Sequence, residues 1–220
     1  MDDPIQRHPT RSEQLDILTS VIADTVASTD HARVLDIGCG TGYVAFQLAQ
    51  KVSAIALTGV DLSASALASA SENLRAQPLE FNPVAGDLMD PDSITLEPQS
   101  FDLAYTCLTF HDLGDVAKLA VIQWAYRALK PGGVLLIYDR LRLDRASLFP
   151  LQRSIWKRIE AHYGQAMRSA DSFSEYVNDI GSDNAPARLV DYLGWYEDNG
   201  FDGTVLHLHG NIALLAGVKR

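Results

Sequence analysis

The sequence has few cysteines and no long apolar run, and each scarcity excludes a class of protein. Its 220 residues include two cysteines, Cys39 and Cys107, too few for a disulfide framework or a cysteine-based zinc site. No segment reaches the roughly 20 consecutive apolar residues that a membrane-spanning helix needs. The polar, acidic start MDDPIQRHPTRSE lacks the basic beginning and apolar centre of a signal peptide. We therefore expect a cytoplasmic protein without a membrane segment.

Positive charge is also scarce. The chain carries 18 Lys and Arg against 28 Asp and Glu, a formal net charge of −10, which argues against nucleic acid as a partner. Residues 140–168 are the exception, because seven basic residues there are opposed only by Asp144 and Glu160. The basic residues are Arg140, Arg142, Arg145, Arg153, Lys157, Arg158 and Arg168. Such a region is either a solvated amphipathic helix or a basic lid over an anionic substrate.

What the sequence does have is a regular alternation of strand and helix signals up to Asp139. The predicted strands are 33–37, 54–60, 81–85, 101–106 and 134–138. Helical patterns separate them, with a capping-box spacing from Thr10 to Glu13 and Asp115 as a candidate cap. This alternation predicts a parallel sheet. Pro83 lies inside the third strand, which is therefore expected at an edge.

The alternation stops after Asp139, and a different pattern follows. We expect a helical lid insertion at about 140–185, then a helix at 187–199 and two apolar strands at 201–208 and 211–218. Because only two residues connect these strands, they predict an antiparallel hairpin. The sequence thus predicts a single α/β domain over residues 1–220.

The predicted strand ends carry the residues with chemical potential. The stretch 34–42, VLDIGCGTG, runs from a strand into three glycines, so that backbone N–H groups and a helix N-terminus approach a ligand. Asp61 and Asp87 end the second and third strands, where one acid suits ribose hydroxyls and the other an exocyclic amine. Either acid alone is also a common cap or turn residue. Together, at the carboxyl ends of successive parallel strands, these features predict one ligand site.

These motifs resemble those of the small, single-domain class I S-adenosylmethionine-dependent methyltransferases. The matching stretches are VLDIGCGTG at 34–42, GVDLS at 59–63, AGDL at 85–88, FDLA at 101–104 and LKPGGVL at 129–135. The resemblance implies a Rossmann-like, doubly wound sheet of seven strands, mostly parallel, with a C-terminal antiparallel hairpin. It also implies S-adenosyl-L-methionine as the cofactor and methyl transfer as the reaction, and it says little about the methyl acceptor.

The resemblance also implies the residues that hold the cofactor's methionine part. Backbone groups of Gly38, Cys39 and Gly40 would bind it, and Asp36 would orient that loop and the amino group. Thr106 would lie under the sulfonium end. Cys39 is interpreted as a small loop residue without thiol chemistry.

A second set of residues would hold the nucleoside part. Asp61 would bind the ribose hydroxyls, with Leu62 packed on the adenine. Asp87 would accept a hydrogen bond from the adenine amine, with the Leu88 backbone beside it. These roles, too, come from the resemblance rather than from composition or spacing.

His111 is the candidate catalytic residue. Methyl transfer is an in-line displacement in which the protein mainly aligns the acceptor, and a base is needed only if the acceptor must lose a proton. His111 follows the fourth strand, and an imidazole is a common general base in proteins, with loop packing as the alternative role. Asp112 would orient it or cap the next turn. No metal is expected, because no cluster of His, Asp and Asn accompanies Asp139.

The methyl acceptor would be contacted by the lid and the N-terminal segment. Arg140 and Tyr163 are the candidate substrate-binding residues. Trp156 and Tyr163 either form the lid's own small core or line a pocket with a cationic edge. Such a pocket would suit a small carboxylated or phosphorylated acceptor, or one that resembles a natural product.

Three other functions stay open. An RNA-modifying methyltransferase would set the basic lid on phosphate, against the net charge and without an added RNA-binding module. A nicotinamide-dependent dehydrogenase shares the glycine turn and a later acid, but the pattern here is Gly-x-Gly-x-Gly rather than Gly-x-Gly-x-x-Gly. The third is a protein that binds the cofactor without turnover.

Overall fold

The computed structural model describes residues 8–164, 170–180 and 184–220, and all seven predicted strands lie in these ranges. The strands are β1 Arg33–Ile37, β2 Ile55–Asp61, β3 Leu79–Ala85, β4 Phe101–Cys107, β5 Leu129–Arg140, β6 Phe201–His209 and β7 Ile212–Lys219. The helices are α1 Arg11–Val26, α2 Tyr43–Leu48, α3 Ala64–Leu74, α4 Asp115–Ala128, α5 Phe149–Tyr163, α6 Phe173–Ile180 and α7 Leu189–Asp198.

The strands form one sheet in the order β3-β2-β1-β4-β5-β7-β6. All pairings among β1 to β5 are parallel, whereas β7 runs antiparallel to both β5 and β6. The predicted Rossmann-like α/β sheet with its C-terminal hairpin is therefore confirmed. The connection of that hairpin is Gly210 and Asn211, one residue later than the sequence pattern suggested.

Helices cover both faces of the sheet, and the alternation along β1 explains how. Leu35 and Ile37 belong to the core on the side of α4 and α7, whereas Val34 belongs to the core on the side of α1 and α2. Successive side chains of a strand point to opposite faces, so a strand with apolar residues at every position is buried on both sides. This double covering matches the predicted doubly wound arrangement.

The strand order places the ligand site. From β1 the chain proceeds outward through β2 to β3, and it then returns to the other side of β1 to form β4 and β5. The point where the order reverses lies between β1 and β4, and ligands of such sheets bind there, beyond the carboxyl ends. β3 is the outer strand, with Pro83 paired to Gly59, and this confirms the predicted edge position.

Two predicted helix caps are wrong. Thr10 stands at the N-cap of α1, but its hydroxyl bonds to His8 Nδ1 at 2.9 Å and makes no capping contact, because the nearby imidazole competes for it. Gly114 is the N-cap of α4, and Asp115 is the first helical residue, with its carboxylate 3.3 Å from Lys118 Nζ. The helices nevertheless form where the apolar periodicity predicts them.

The segment from 140 to 185 contains α5 and α6, and part of it, including Arg168, lies outside the described residues. Its helices build a small apolar cluster of their own, formed by Phe149, Trp156, Ile159, Ala170 and Tyr176. Trp156 thus has the predicted packing role. In the described part of the chain, no helix combines the length and apolar character needed to cross a bilayer.

Candidate functional site

A cavity of about 920 Å³ opens at the carboxyl ends of the parallel strands, where the strand order reverses. From the loops after β1, β2 and β4 it is lined by Asp36, Gly38, Cys39, Gly40, Thr41, Asp61, Cys107, Leu108, Thr109, His111 and Asp112. From the N-terminal segment, the segment after β5 and the hairpin it is lined by His8, Arg11, Leu15, Arg140, Trp156, Ala170, Tyr176, Ile180, Asn184, Pro186, Asn211 and Ile212. Both predicted sources of substrate contacts therefore reach it.

The glycine loop after β1 approaches the β4 side so closely that a side chain would clash. Gly38 has a left-handed φ of +77°, and a Cβ there would lie 2.5 Å from side-chain atoms of Thr109. The loop N–H groups are used internally: Gly38 and Cys39 donate to the Val60 carbonyl at 2.8 and 3.0 Å. These N–H groups are therefore already paired within the fold, and the binding of a ligand by the backbone of Gly38, Cys39 and Gly40 stays a prediction.

Asp61 connects the loop to β2 and is fixed by two backbone donors. Its Oδ2 accepts from the Gly40 N–H at 2.8 Å, and its Oδ1 accepts from the Ser63 N–H at 2.9 Å. An ionised carboxyl group has about four lone-pair positions, so each oxygen keeps one for a further donor. Asp61 thus lines the cavity as an oriented acceptor.

Asp36 is a buried acid at the end of β1, with an exposed fraction of 2%. The Tyr105 hydroxyl donates to its Oδ2 at 2.6 Å. Burial raises the pKa of the Asp36 carboxyl to about 7, the Tyr105 hydrogen bond opposes this, and the nearby Asp61 charge adds to it. A positive ligand beside Asp36 would favour its ionised form, and perturbed acids of this kind cluster at functional sites.

Four of the predicted cofactor residues do not line the cavity. Leu62 is 70% exposed just after β2, and Asp87 accepts from the Met89 N–H at 2.8 Å in the turn after β3. Leu88 is buried in the core, and Thr106 is fully buried. The Thr106 hydroxyl has no hydrogen-bond partner among the described residues.

The residues that follow Thr106 in the chain, rather than Thr106 itself, form this side of the cavity. Cys107, Leu108 and Thr109 line the cavity after β4. Side chains alternate along a strand, and Tyr105 already bonds to Asp36 on one face, so Thr106 points to the other.

His111 is held by Asp139, whereas orienting His111 was one of the two roles considered for Asp112. The Asp139 carboxylate accepts from the His111 N–H at 2.9 Å, and its other oxygen lies 2.6 Å from Nδ1. Asp112 is 60% exposed and its carboxylate lies 3.5 Å from Nε2. Since a carboxylate accepts at Nδ1, that nitrogen carries the proton, and the other ring nitrogen, Nε2, has the exposed Asp112 carboxylate as its neighbour.

Sequence reasoning considered Asp139 only as a metal ligand, although a signal for its actual position exists. Cys107 of β4 pairs with Tyr138 of β5, so the residues directly after these two positions meet at one rim. An acid that ends one strand, next to a histidine that follows the neighbouring strand, is such a signal. Within the described ranges, no group of three or more His, Cys, Asp and Glu is arranged to hold a metal ion.

Of the two predicted substrate-binding residues, Arg140 lines the cavity and Tyr163 does not. Tyr163 ends α5 and donates its hydroxyl to Glu13 of α1 at 2.8 Å, which turns it away from the site. Trp156, the lid-core residue, also reaches the cavity and lies 3.3 Å from Asn211 through its ring N–H. Arg11 lines the cavity and was not predicted, since nothing in a helical pattern marks which polar residue faces a site.

The basic residues after β5 are mainly solvated, as one of the two readings predicted. Arg142, Arg145, Lys157 and Arg158 are exposed. Arg153 is partly exposed and pairs with Asp171. Arg140 is exposed as well, but it is the basic residue of this group, among those described, that lines the cavity.

The two cysteines are free thiols. Burial raises the pKa of both Cys39 and Cys107, and the Asp36 charge contributes in each case. A thiol acts as a nucleophile through its thiolate, so both side chains are inert at neutral pH.

Comparison with known proteins identifies related sequences. Residues 34–133 match a family model described as a methyltransferase domain. Ribosomal RNA small subunit methyltransferase C of Pasteurella multocida is 33% identical over 129 residues, which cover 57% of this chain and 38% of that protein. Trans-aconitate 2-methyltransferase of Deinococcus radiodurans is 34% identical over 121 residues, which cover 53% of this chain and 41% of that protein. The chain thus spans less than half the length of these curated relatives.

Solved structures share the fold. The YcgJ protein of Bacillus subtilis aligns with a TM-score of 0.65 at 16% identity, and the alignment covers 95% of this chain and 99% of that one. The S-adenosylmethionine-dependent methyltransferase SibL in its apo form aligns with a TM-score of 0.61 at 18% identity, over 93% of this chain and 55% of that one. Likeness at such identities concerns the architecture of the sheet and its helices.

Proposed function

We propose that the protein, which belongs to the class I S-adenosylmethionine-dependent methyltransferases, transfers a methyl group to a small-molecule acceptor. The observation that carries the proposal is that Asp36, Asp61 and His111 line one cavity together with the glycine loop. These residues come from the ends of adjacent strands at the point of order reversal, which is where such sheets bind ligands. The family cofactor, S-adenosyl-L-methionine, supplies an electrophilic sulfonium methyl group when bound.

The residues of the cavity fit the methionine part of this cofactor. The Asp36 carboxyl is buried, and Tyr105 is its hydrogen-bond donor in the described part of the chain. A ligand cation would therefore find an acid without a positive partner. Gly38 lets the loop backbone lie against Thr109, where a Cβ would clash, and its carbonyl oxygen, 3.4 Å from the Thr109 hydroxyl, keeps a lone pair for an ammonium group.

Asp61 fits the ribose, because its two oxygens are fixed by backbone donors and keep lone pairs for two hydroxyls. We further propose that Leu62, Asp87 and Leu88 flank the adenine at the outer rim. Leu62 has the exposure that a stacking surface requires, since 70% of it is open to solvent. Thr106 keeps only an indirect role behind the wall, and Cys107 and Thr109 take the position proposed for it.

His111 acts as the general base in this proposal. Its Nδ1 is bonded to Asp139, so the cavity-facing imidazole takes the acceptor's proton at Nε2. Asp139 fixes the ring and stabilises the imidazolium that forms, so we regard it as a positioning residue. An acceptor that loses a proton, such as a hydroxyl or an amine, fits this arrangement.

We propose that α5, α6 and the N-terminal segment form a lid over the acceptor. The far end of the lid is tied to the catalytic turn: Ala185 donates its N–H to the His111 carbonyl at 2.6 Å. The buried Lys118 holds the same residue by donating to the Ala185 carbonyl at 2.5 Å. These hydrogen bonds connect the end of the lid to the turn that carries His111. The cytoplasmic location stays a prediction.

An RNA acceptor is the second candidate, and the ribosomal RNA methyltransferase among the relatives favours it. The relative named for trans-aconitate favours a small molecule instead, and so does the net charge of −10. The deciding experiment incubates the protein with methyl-labelled cofactor and a cell extract divided into RNA and metabolite fractions. Mass spectrometry should find the label in a metabolite.

The controls make the outcome interpretable. Asp61→Ala should abolish the labelled metabolite, and exposed Asp24→Ala should not. Label confined to RNA would replace the small-molecule assignment by the second candidate. Cofactor binding measured by calorimetry, with label in neither fraction, would leave only a cofactor-binding protein. Calorimetric binding of a nicotinamide dinucleotide in place of S-adenosylhomocysteine would contradict the whole assignment.

A further inference from the structure

Arg11 is a buried, positively charged residue that lines the cavity. Its exposed fraction is 5%, it lines the cavity, and its Nε has no hydrogen-bond partner in the described part of the chain. A guanidinium stays protonated in proteins and presents five donors. Because an unpaired buried donor on a charged group is costly, this Nε–H implies an anionic acceptor that the described residues do not supply.

A second guanidinium, that of Arg140, reaches the same part of the cavity. Arg11 and Arg140 both act on His8, whose ring also lines the cavity. Burial, followed by these two positive charges and His209, lowers the pKa of His8 to about 4, so its ring is neutral. Its Nδ1 is occupied by Thr10, 2.9 Å from the hydroxyl. The two arginines therefore set the charge of this end of the cavity.

The acids that line the cavity are committed elsewhere. Asp36 accepts from Tyr105, and both oxygens of Asp61 accept from backbone N–H groups. Asp112 lies 3.5 Å from His111 and is largely exposed. Asp139, behind the wall, is occupied by His111. None of these carboxylates forms an ion pair with Arg11 or Arg140 among the described residues.

Apolar side chains complete this end of the cavity. Leu15, one helical turn after Arg11 on α1, lines the cavity together with Trp156 of α5 and Tyr176 of α6, whose ring centroids lie 6.0 Å apart. Cationic donors beside an aromatic wall suit a ligand that has an anionic group on an apolar body.

We propose that Arg11 and Arg140 bind the anionic group of the methyl acceptor, a carboxylate or phosphate, while the apolar wall holds its body. The inference rests on the proposed function, because it takes the ligand to be the acceptor. Arg140 directly follows Asp139, the residue that holds His111, so the anion sits at the base's end of the cavity. The glycine loop and Asp61 remain for the cofactor.

The test is a calorimetric titration of the protein saturated with S-adenosylhomocysteine. The probes are inorganic phosphate, acetate, benzoate and benzamide, of which the last is the neutral counterpart of benzoate. Benzoate should bind about tenfold more tightly than benzamide, and Arg11→Met should reduce that ratio towards one. Arg140→Met should reduce it in part, and Arg145→Met, at an exposed position outside the cavity, should leave it unchanged.

Two further measurements distinguish a lost anion contact from a folding defect and from a lost cofactor contact. Arg11→Lys retains the charge and should keep most of the preference, which guards against a folding defect in Arg11→Met. The affinity for S-adenosylhomocysteine should stay within about twofold in both arginine variants, because the proposal leaves the cofactor to the glycine loop and Asp61. A tenfold change in affinity corresponds to about 1.4 kcal/mol. A large loss there would mean that Arg11 binds the cofactor's own carboxylate, and it would overturn the inference.

Other results would also overturn it. They are equal binding of benzoate and benzamide to the wild type, no binding of any probe anion, and an anion preference that survives in Arg11→Met. None of these depends on turnover. A labelled metabolite without Arg11-dependent anion binding would therefore overturn this inference alone. Arg11-dependent anion binding without a labelled metabolite would instead contradict the proposed function.

Discussion

The Asp139 carboxylate holds His111 at two points, by accepting its backbone N–H at 2.9 Å and by lying 2.6 Å from its ring Nδ1. Both residues are buried, with exposed fractions of 1% and 7%. The two contacts fix the position of the turn and the orientation of the ring together. An imidazole held in this way presents the same nitrogen to the cavity throughout a reaction cycle, which is what a general base requires.

Replacing His111 by alanine should lower turnover by about 10²- to 10⁴-fold, the scale of a positioned acid or base. The affinity for S-adenosylhomocysteine should change little, because the residues proposed to hold the cofactor, Asp36 and Asp61, belong to β1 and β2. The measurement compares the turnover number with calorimetric affinity over a range of pH. Unchanged turnover at every pH would make His111 a packing residue.

Asp139→Asn should also lower turnover, because the amide no longer favours the imidazolium and permits the wrong ring orientation. Asp112→Asn is the matched control and should have little effect, because Asp112 is 60% exposed. A larger effect of Asp112→Asn than of Asp139→Asn would reverse the assignment of the two acids.

Asp61→Ala should weaken cofactor binding by about 1–3 kcal/mol, the cost of leaving polar partners unpaired. The substitution removes the acceptor for the ribose and also releases the N–H groups of Gly40 and Ser63. Isothermal calorimetry with S-adenosylhomocysteine measures the change. An affinity equal to that of Asp24→Ala, an exposed control, would refute the ribose contact.

The Asp36 carboxyl should make the free energy of unfolding depend on pH. Burial raises its pKa from an ordinary 3.8 to about 7, so the folded state binds the proton more tightly than the unfolded state. Stability should therefore decline as pH rises from about 4 to 7, and the full penalty should persist above that window. Urea unfolding of the wild type and Asp36→Asn should differ by a slope in this range. Parallel curves would show that Asp36 is ionised throughout.

Cofactor binding should release a proton from Asp36. The positive charge of a bound sulfonium compound favours the ionised carboxyl group, so affinity should rise between pH 6 and 8, around the shifted pKa. Calorimetry in buffers with different ionisation enthalpies counts the protons released. The uncharged Asp36→Asn should release none, and an identical count in both proteins would contradict the link.

The strands and the cavity-lining residues Asp36, Gly38 and Asp61 were predictable because they depend on local patterns. The apolar run at 34–37 and the glycines after it specify a buried strand and a tight turn regardless of the rest of the chain. Asp61 lies at a strand end for the same reason. Parallel strands bring such ends to one rim, so their meeting there follows from the predicted topology.

The acceptor end was less predictable because it depends on tertiary contacts. Arg11 faces the cavity only because α1 packs against the sheet, and Tyr163 turns away because Glu13 of the same helix binds it. Asp139 meets His111 through the pairing of β4 with β5, which a strand-by-strand reading does not contain. Thr106 was misplaced because a strand prediction without its register leaves the inner and outer faces undecided.

The cofactor and the acceptor should both bind in the cavity that His111 lines. A crystal structure of the protein with S-adenosylhomocysteine and benzoate tests this most directly. The account predicts the ribose on Asp61, the homocysteine part along the 38–40 loop, and the benzoate carboxylate on Arg11 and Arg140, with the sulfur directed towards the benzoate. A cofactor product bound away from Asp61 and the glycine loop, or one whose sulfur points away from His111, would contradict it.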